Sequence, residues 1–334
     1  MKQSVLAVLT IAGHTWIGGP TLAAADSAAL KAAIESFNRH DLPEAKSQFQ
    51  RLLAGESANA EARMYLGRLA LEEGRLDDAI DHLDRAAQLN PTNAVYFLWL
   101  ARGYGLQARK AGIPTGIGPA LRSRSAFEKS VTLDPELIEA REDLIQFHRK
   151  APGIVGGSRR AARSHANEIK KRDPYLGALI QGDLLMDERK YREAENVYRA
   201  AAETKPGHVD AYYRLGLLYS KRKEFEKAFP AFEKILQLDT NEVEACFYMG
   251  EAGALSGLRL PRAEEALKVY LRTRPWSIMP SLADAHFRLG QIYEHQRKHD
   301  LARVEFQAAL KLDPDLQAVK AALRNLRSNV MPDR

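Results

Sequence analysis

Cysteine is nearly missing from this chain of 334 residues: Cys246 is the only one. A single thiol builds neither an intrachain disulfide framework nor a cysteine-cluster metal site. Long apolar runs are missing too, and none reaches the roughly 20 residues of a membrane-spanning helix. With 3 Trp, 22 Gly and 15 Pro, collagen-like and low-complexity chains are excluded. Strong charge of one sign is also absent: 49 Lys+Arg stand against 43 Asp+Glu, a formal net charge of +6. That small excess is local. Residues 149–172 hold eight basic residues and one acid, Glu168; the rest of the chain holds 41 basic and 42 acidic residues. A generally basic, nucleic-acid-coating protein is therefore not expected.

What is present begins with an address. Lys2 precedes a short apolar core at 5–12, Gly18-Gly19-Pro20 breaks any helix, and Ala23-Ala24-Ala25 places small residues at a cleavage site. The pattern predicts a signal peptide at 1–25, cut before Asp26. A periplasmic or secreted location follows, without a transmembrane segment in the mature chain. No cysteine follows the apolar core, so a lipid anchor is not expected.

The remainder is one unit repeated. The small residue after each polar turn recurs as Ala45, Ala79, Ser123, Ala162, Ala194, Ala228, Ala263 and Ala302, with steps of 34, 44, 39, 32, 34, 35 and 39. In the clearest unit, 60–93, Leu66, Gly67 and Ala70 form one helical stripe, Gly74 turns the chain, and Ala79, Leu83 and Ala86 form a second. Asn90-Pro91 then ends the second helix. Leu215-Gly216, Met249-Gly250 and Leu289-Gly290 repeat the pattern, with Ala228, Ala263 and Ala302 following. A small residue where two helices cross lets their backbones approach. One hairpin cannot bury its apolar face alone, so each must stack on the next.

On these residues the chain resembles the tetratricopeptide repeat (TPR) family, and an exported member of it. The resemblance implies an all-α solenoid: a right-handed superhelix of antiparallel helix pairs. Eight repeats are expected at 26–59, 60–93, 94–137, 138–174, 175–208, 209–242, 243–277 and 283–316. A capping helix at 317–328, with Ala318, Ala321, Ala322 and Leu326 inward, and a tail at 329–334 complete the chain. The third repeat is expected to hold about ten extra residues between its helices, near 111–119. The fourth places Ile145 at the small crossing position and enlarges the loop 151–158.

No catalytic constellation, cofactor or metal site is expected. His295 and His299 are separated by a turn, so they do not share a helical face. Ser158 after Gly156-Gly157 lacks the lysine of a phosphate loop and reads as a helix cap. Asp183 and Asp187 read as a solvated acidic pair, and Cys246 as a buried, inert thiol.

Two surfaces are candidates for binding. In the resembled family the first helix of each unit lines a groove that takes protein or peptide segments. Here the groove positions are Tyr213, Phe247 and Phe287, then Leu217, Glu251 and Gln291 one turn on, with Asp210, Glu244 and Asp284 at the edge. An aromatic floor with an acidic rim suits an apolar, positively charged segment. The alternative is that these rings pack between repeats. A carboxylate-clamp receptor is not expected, because Met64, Arg68, Leu98 and Arg102 occupy the clamp positions. The second surface is the basic segment, with Arg159, Arg160, Arg163, Lys170 and Lys171 on one side of a helix. It would contact an anionic envelope surface or an acidic partner, or simply face water. The function expected is a non-catalytic scaffold or adaptor in the cell envelope. Nucleic acid is not an expected partner.

Overall fold

The computed structural model describes residues 22–55, 58–273 and 280–330. The apolar core of the expected signal peptide, the end of the seventh expected repeat and residues 331–334 lie outside them. The described residues form 17 α-helices and one 3-10 turn, with no strand among them. They divide into two compact units, Met1–Asp173 and Pro174–Arg334.

The first unit holds four antiparallel hairpins. These are α1 (Leu22–Asn38) with α2 (Leu42–Gly55), α3 (Ala60–Glu72) with α4 (Leu76–Leu89), α5 (Ala94–Ala111) with α6 (Ile117–Leu133), and α7 (Ile138–Lys150) with α8 (Arg159–Arg172). The 3-10 turn, Gly153–Val155, lies between the last two. The second unit holds α9 (Pro174–Asp187) with α10 (Tyr191–Thr204), α11 (Val209–Lys221) with α12 (Phe225–Leu238), α13 (Val243–Ser256) with α14 (Leu260–Leu271), and α15 (Leu282–His295) with α16 (His299–Leu312). Helix α17 (Gln317–Val330) packs on α16.

Local chemistry sets these boundaries. Asn59 and Asn93 cap α3 and α5 by accepting hydrogen bonds from the backbone N–H of Ala62 and Val95, each at 2.9 Å. The regular hairpin turns share one left-handed residue. Gly74 has φ +73°, and Lys223, at the same place in its repeat, has φ +60°. After it, the N–H of Arg75 or Glu224 reaches back to the carbonyl of Ala70 or Tyr219 at 2.9 and 2.8 Å, closing the helix end.

At each regular crossing a glycine meets a large side chain. A Cβ placed on Gly216 would lie 2.5 Å from the Phe232 ring, and one on Gly67 would lie 2.5 Å from Leu83. Gly290 meets Phe306 and Gly182 meets Tyr198 in the same way. The buried residues of the second unit form one cluster from Tyr175 to Leu326. In the first unit they form two, one around Tyr65 and one around Leu144.

Two expectations need correction here. The third repeat does not carry a ten-residue loop. Its extra residues are wound into longer helices of 18 and 17 residues, because nothing before Gly112 breaks α5. Only 112–116 remains between them. In the final helix, Ala318 is exposed, and the inward stripe is Val319, Ala322, Leu323 and Leu326. A valine one position on buries more apolar surface than the alanine, which rotates the stripe. Helix α1 begins at Leu22, ahead of Asp26.

Candidate partner-binding faces

In the second unit α9, α11, α13 and α15 lie side by side. Their shared face carries the residues singled out from the sequence, but not all of them are open. Tyr213 is half-buried, with its ring edge-on to Phe232 at 6.3 Å and to Tyr248 at 5.7 Å. Burial pushes its phenol far above the usual range, and the charge of Glu244 adds to this. Burial, with the charges of Glu244 and Glu251, pushes Tyr248 up to about 12. Phe247 is only 5% exposed and packs on Tyr270 of α14 at 5.4 Å. It is a core side chain, not part of a groove floor, and it packs on the second helix of its own hairpin as Tyr213 and Phe287 do. Phe287 is half-buried against Phe306. Leu217 is 36% exposed and offers an apolar side chain on this face. Asp210, Glu244 and Asp284 are half-buried in the first turns of their helices, and Asp284 accepts a hydrogen bond from Ser281 at 2.7 Å.

Glu251 and Gln291 are tied together by a residue the sequence reading passed over. Arg288 donates to the Glu251 carboxylate at 2.6 Å and to Gln291 at 3.0 Å. Arg214 does the same for Asp183, at 3.0 Å, and the Tyr198 hydroxyl donates to that carboxylate at 2.6 Å. Asp183 is therefore not a solvated acid. It is held by a neighbouring repeat, because a carboxylate taken out of water requires a partner. Burial opposes the charge of Arg214, but Asp183 and Asp210 outweigh it and raise its pKa.

The first unit builds the same rung from different chemistry. The Arg68 guanidinium of α3 stacks on Phe37, Tyr65 and Trp99, at 4.5, 5.1 and 4.3 Å from the ring centres. Arg102 covers Trp99 at 4.4 Å and donates to Asp143 of α7 at 2.6 Å. Burial lowers the pKa of Arg68 and raises those of Glu61 and Glu139. A signal for these rungs exists in the sequence. Asp183 and Arg214 are 31 residues apart, and so are Arg68 and Trp99. In a repeat of 34, a spacing of 31 brings one helix turn beside the previous turn of its neighbour. Insertions stretch it to 41 for Arg102–Asp143 and 37 for Arg288–Glu251.

On α8, Arg159, Arg160, Arg163, Lys170 and Lys171 are all exposed, while Ala162, Ala166 and Ile169 are buried. Lys171 pairs with Glu168 at 2.7 Å, and Arg172 with Glu136 at 2.6 Å. Ser158 caps α8 by accepting from the N–H of Ala161 at 3.2 Å. Cys246 is buried, and burial raises its pKa, the opposite of an activated thiol. His295 contacts the Ala254 carbonyl at 2.9 Å. No group of metal-ligating side chains occurs among the described residues.

Comparison with known proteins supplies the family. Tetratricopeptide repeat models match residues 28–94 and 180–243, and residues 283–316. Anaphase-promoting complex subunit 3 of Schizosaccharomyces pombe is 23% identical over 240 residues, 72% of this chain and 33% of that protein. The human protein O-mannosyl-transferase TMTC1 is 28% identical over 152 residues, 45% of this chain and 16% of that protein. This chain therefore spans a third or less of the length of these relatives. Among solved structures, the APC/C hetero-tetramer Cut9-Hcn1 aligns with a TM-score of 0.53 at 17% identity, over 89% of this chain and 55% of that one. That likeness speaks for the fold alone. Stacked hairpins, glycine crossings and family models agree: the chain is an all-α solenoid protein and belongs to the tetratricopeptide repeat family.

Proposed function

We propose that this protein is a non-catalytic scaffold whose second unit holds an apolar, positively charged segment of a partner on its first-helix face. The observation that carries this reading is Leu217, exposed one helical turn after Tyr213 on a face whose helices begin with Asp210, Glu244 and Asp284. An apolar anchor on a face that carries carboxylates selects a segment with apolar and cationic side chains. Substitution of Phe247 would test the core rather than this face. Leu217→Asp is the sharper probe, with Leu301→Asp on the second helix α16 as the exposed control. Fluorescent peptides with an apolar centre and Lys/Arg flanks should bind wild type and the control. They should bind Leu217→Asp at least about tenfold more weakly. Equal binding of the same peptides with Asp/Glu flanks sinks the reading.

The cell-envelope setting is part of the proposal and rests on residues 1–25. Its test is the N-terminus of the protein recovered from its native source. A chain starting at Asp26 in the exported fraction supports it, and an intact Met1 in the cytosolic fraction refutes it.

A further inference from the structure

Antiparallel hairpins stacked in one sense bring every turn between first and second helix to one edge of the unit. In the first unit two of those turns present bare isoleucines. Ile113, in the α5–α6 turn, is 78% exposed, and Ile154, in the α7–α8 loop, is 73% exposed. The next large apolar side chain among the described residues is Val304, at 58%. The two turns are linked through α6, which packs on the 3-10 turn and lays Arg124 against Gly156.

The charge around them is mostly basic: among nearby acids, Glu128 is paired with Arg124 at 3.5 Å and Asp77 accepts from Gln107 at 3.3 Å. The chain has no acidic residue across 85–127 or across 144–167. Arg109 and Lys110 end α5, Lys150 ends α7, and Arg159 and Arg160 open α8, all exposed. The other two turns of this unit carry Asp41 and Glu44, and Glu73, Asp77 and Asp78. The apolar tips and an excess of exposed basic residues therefore coincide on the same two hairpins.

We propose that this edge docks on an anionic lipid surface, with Ile113 and Ile154 entering the headgroup layer and the five basic residues lying over the phosphates. A polyanion in water would take up the charges but leave the isoleucines exposed. A lipid interface takes up both. This goes beyond the groove reading and uses none of its residues.

The test is flotation of the full-length protein with phosphatidylcholine vesicles, with and without phosphatidylglycerol. Heparin serves as a polyanion without a hydrocarbon phase. Wild type should float only with anionic vesicles, and salt should weaken it. Lys150→Glu/Arg159→Glu/Arg160→Glu should lose about 100-fold or more, at about fivefold per basic residue. Ile113→Ser/Ile154→Ser should lose about tenfold on vesicles and keep its heparin affinity. No flotation of wild type at low salt overturns the proposal. So does a serine variant that floats like wild type, which would mark an aqueous polyanion as the partner. A lower melting temperature of the serine variant would overturn it too, because the isoleucines would then be packing side chains.

Discussion

In the α11–α12 hairpin Gly216 meets the ring of Phe232, sixteen residues later. In the α7–α8 hairpin Ile145 stands where that glycine would be, and allowing for the five-residue insertion its counterpart is Ala166. Both are buried. The sizes are exchanged, not lost. What recurs at these crossings is one small and one large side chain, because an interior is filled to crystal-like density. The glycine is one solution and the isoleucine–alanine pair is another.

Substitutions can break this comparison. Ile145→Gly should be the most damaging, at about 3–5 kcal/mol, since it leaves a cavity and puts glycine inside a helix. Ile145→Gly/Ala166→Phe should restore a good part of the loss by rebuilding the regular crossing. Urea unfolding of both variants measures this, and a double variant no better than the single one ends the exchange argument. Gly216→Leu comes next. It overpacks against Phe232 and should cost about 1–3 kcal/mol. Gly216→Leu/Phe232→Ala should be milder than the sum of its two single changes. An unchanged melting temperature for Gly216→Leu would mean that Phe232 swings aside.

The same two hairpins differ in how their first helices meet the neighbouring repeat. Arg214 of α11 holds Asp183, with exposures of 14% and 17%. Arg214→Met strands a half-buried carboxylate and should cost about 2 kcal/mol. Arg214→Met/Asp183→Leu removes both charges and should recover most of that. Asp183 would retain its value without Arg214 only if the Tyr198 hydroxyl alone satisfied it. Equal stability of Arg214→Met and wild type would show this.

The fold was legible because the crossing positions repeat in phase: Gly67, Gly216, Gly250 and Gly290 mark the hairpins by spacing alone. The cap of α8 by Ser158 was legible for the same local reason. The binding face was less so. Periodicity placed Tyr213 and Phe247 at one register, but it does not say how deep a ring sinks. Tyr213 stays half-buried, and Phe247 is almost fully buried. The role of Asp183 was missed because its partner lies 31 residues away, beyond any single helix wheel. A residue count locates the insertion of the third repeat without saying whether it is coiled or wound.

The smallest expected difference between the two hairpins is in acid. Where α7 meets α8, the rings of His148 and His165 stack at 5.8 Å and 10°. His148 meets the Gly156 carbonyl at 3.1 Å, and Arg141 lies 3.4 Å from the ring of His165. Burial lowers the pKa of both. Arg124 adds to this at His148, and Arg141 and His148 add to it at His165. A histidine with a depressed folded pKa binds fewer protons folded than unfolded. Its stability contribution is complete above the unfolded value of about 6.5. It is lost as pH falls from there through the depressed folded value. Wild type should therefore unfold at lower urea at pH 5 than at pH 7, by less than Arg214→Met costs. His165→Asn should flatten that dependence while leaving the pH 7 midpoint closer to wild type than Ile145→Gly does. If the slope between pH 7 and pH 5 is the same in His165→Asn as in wild type, the stacked pair is not what makes this hairpin acid-sensitive.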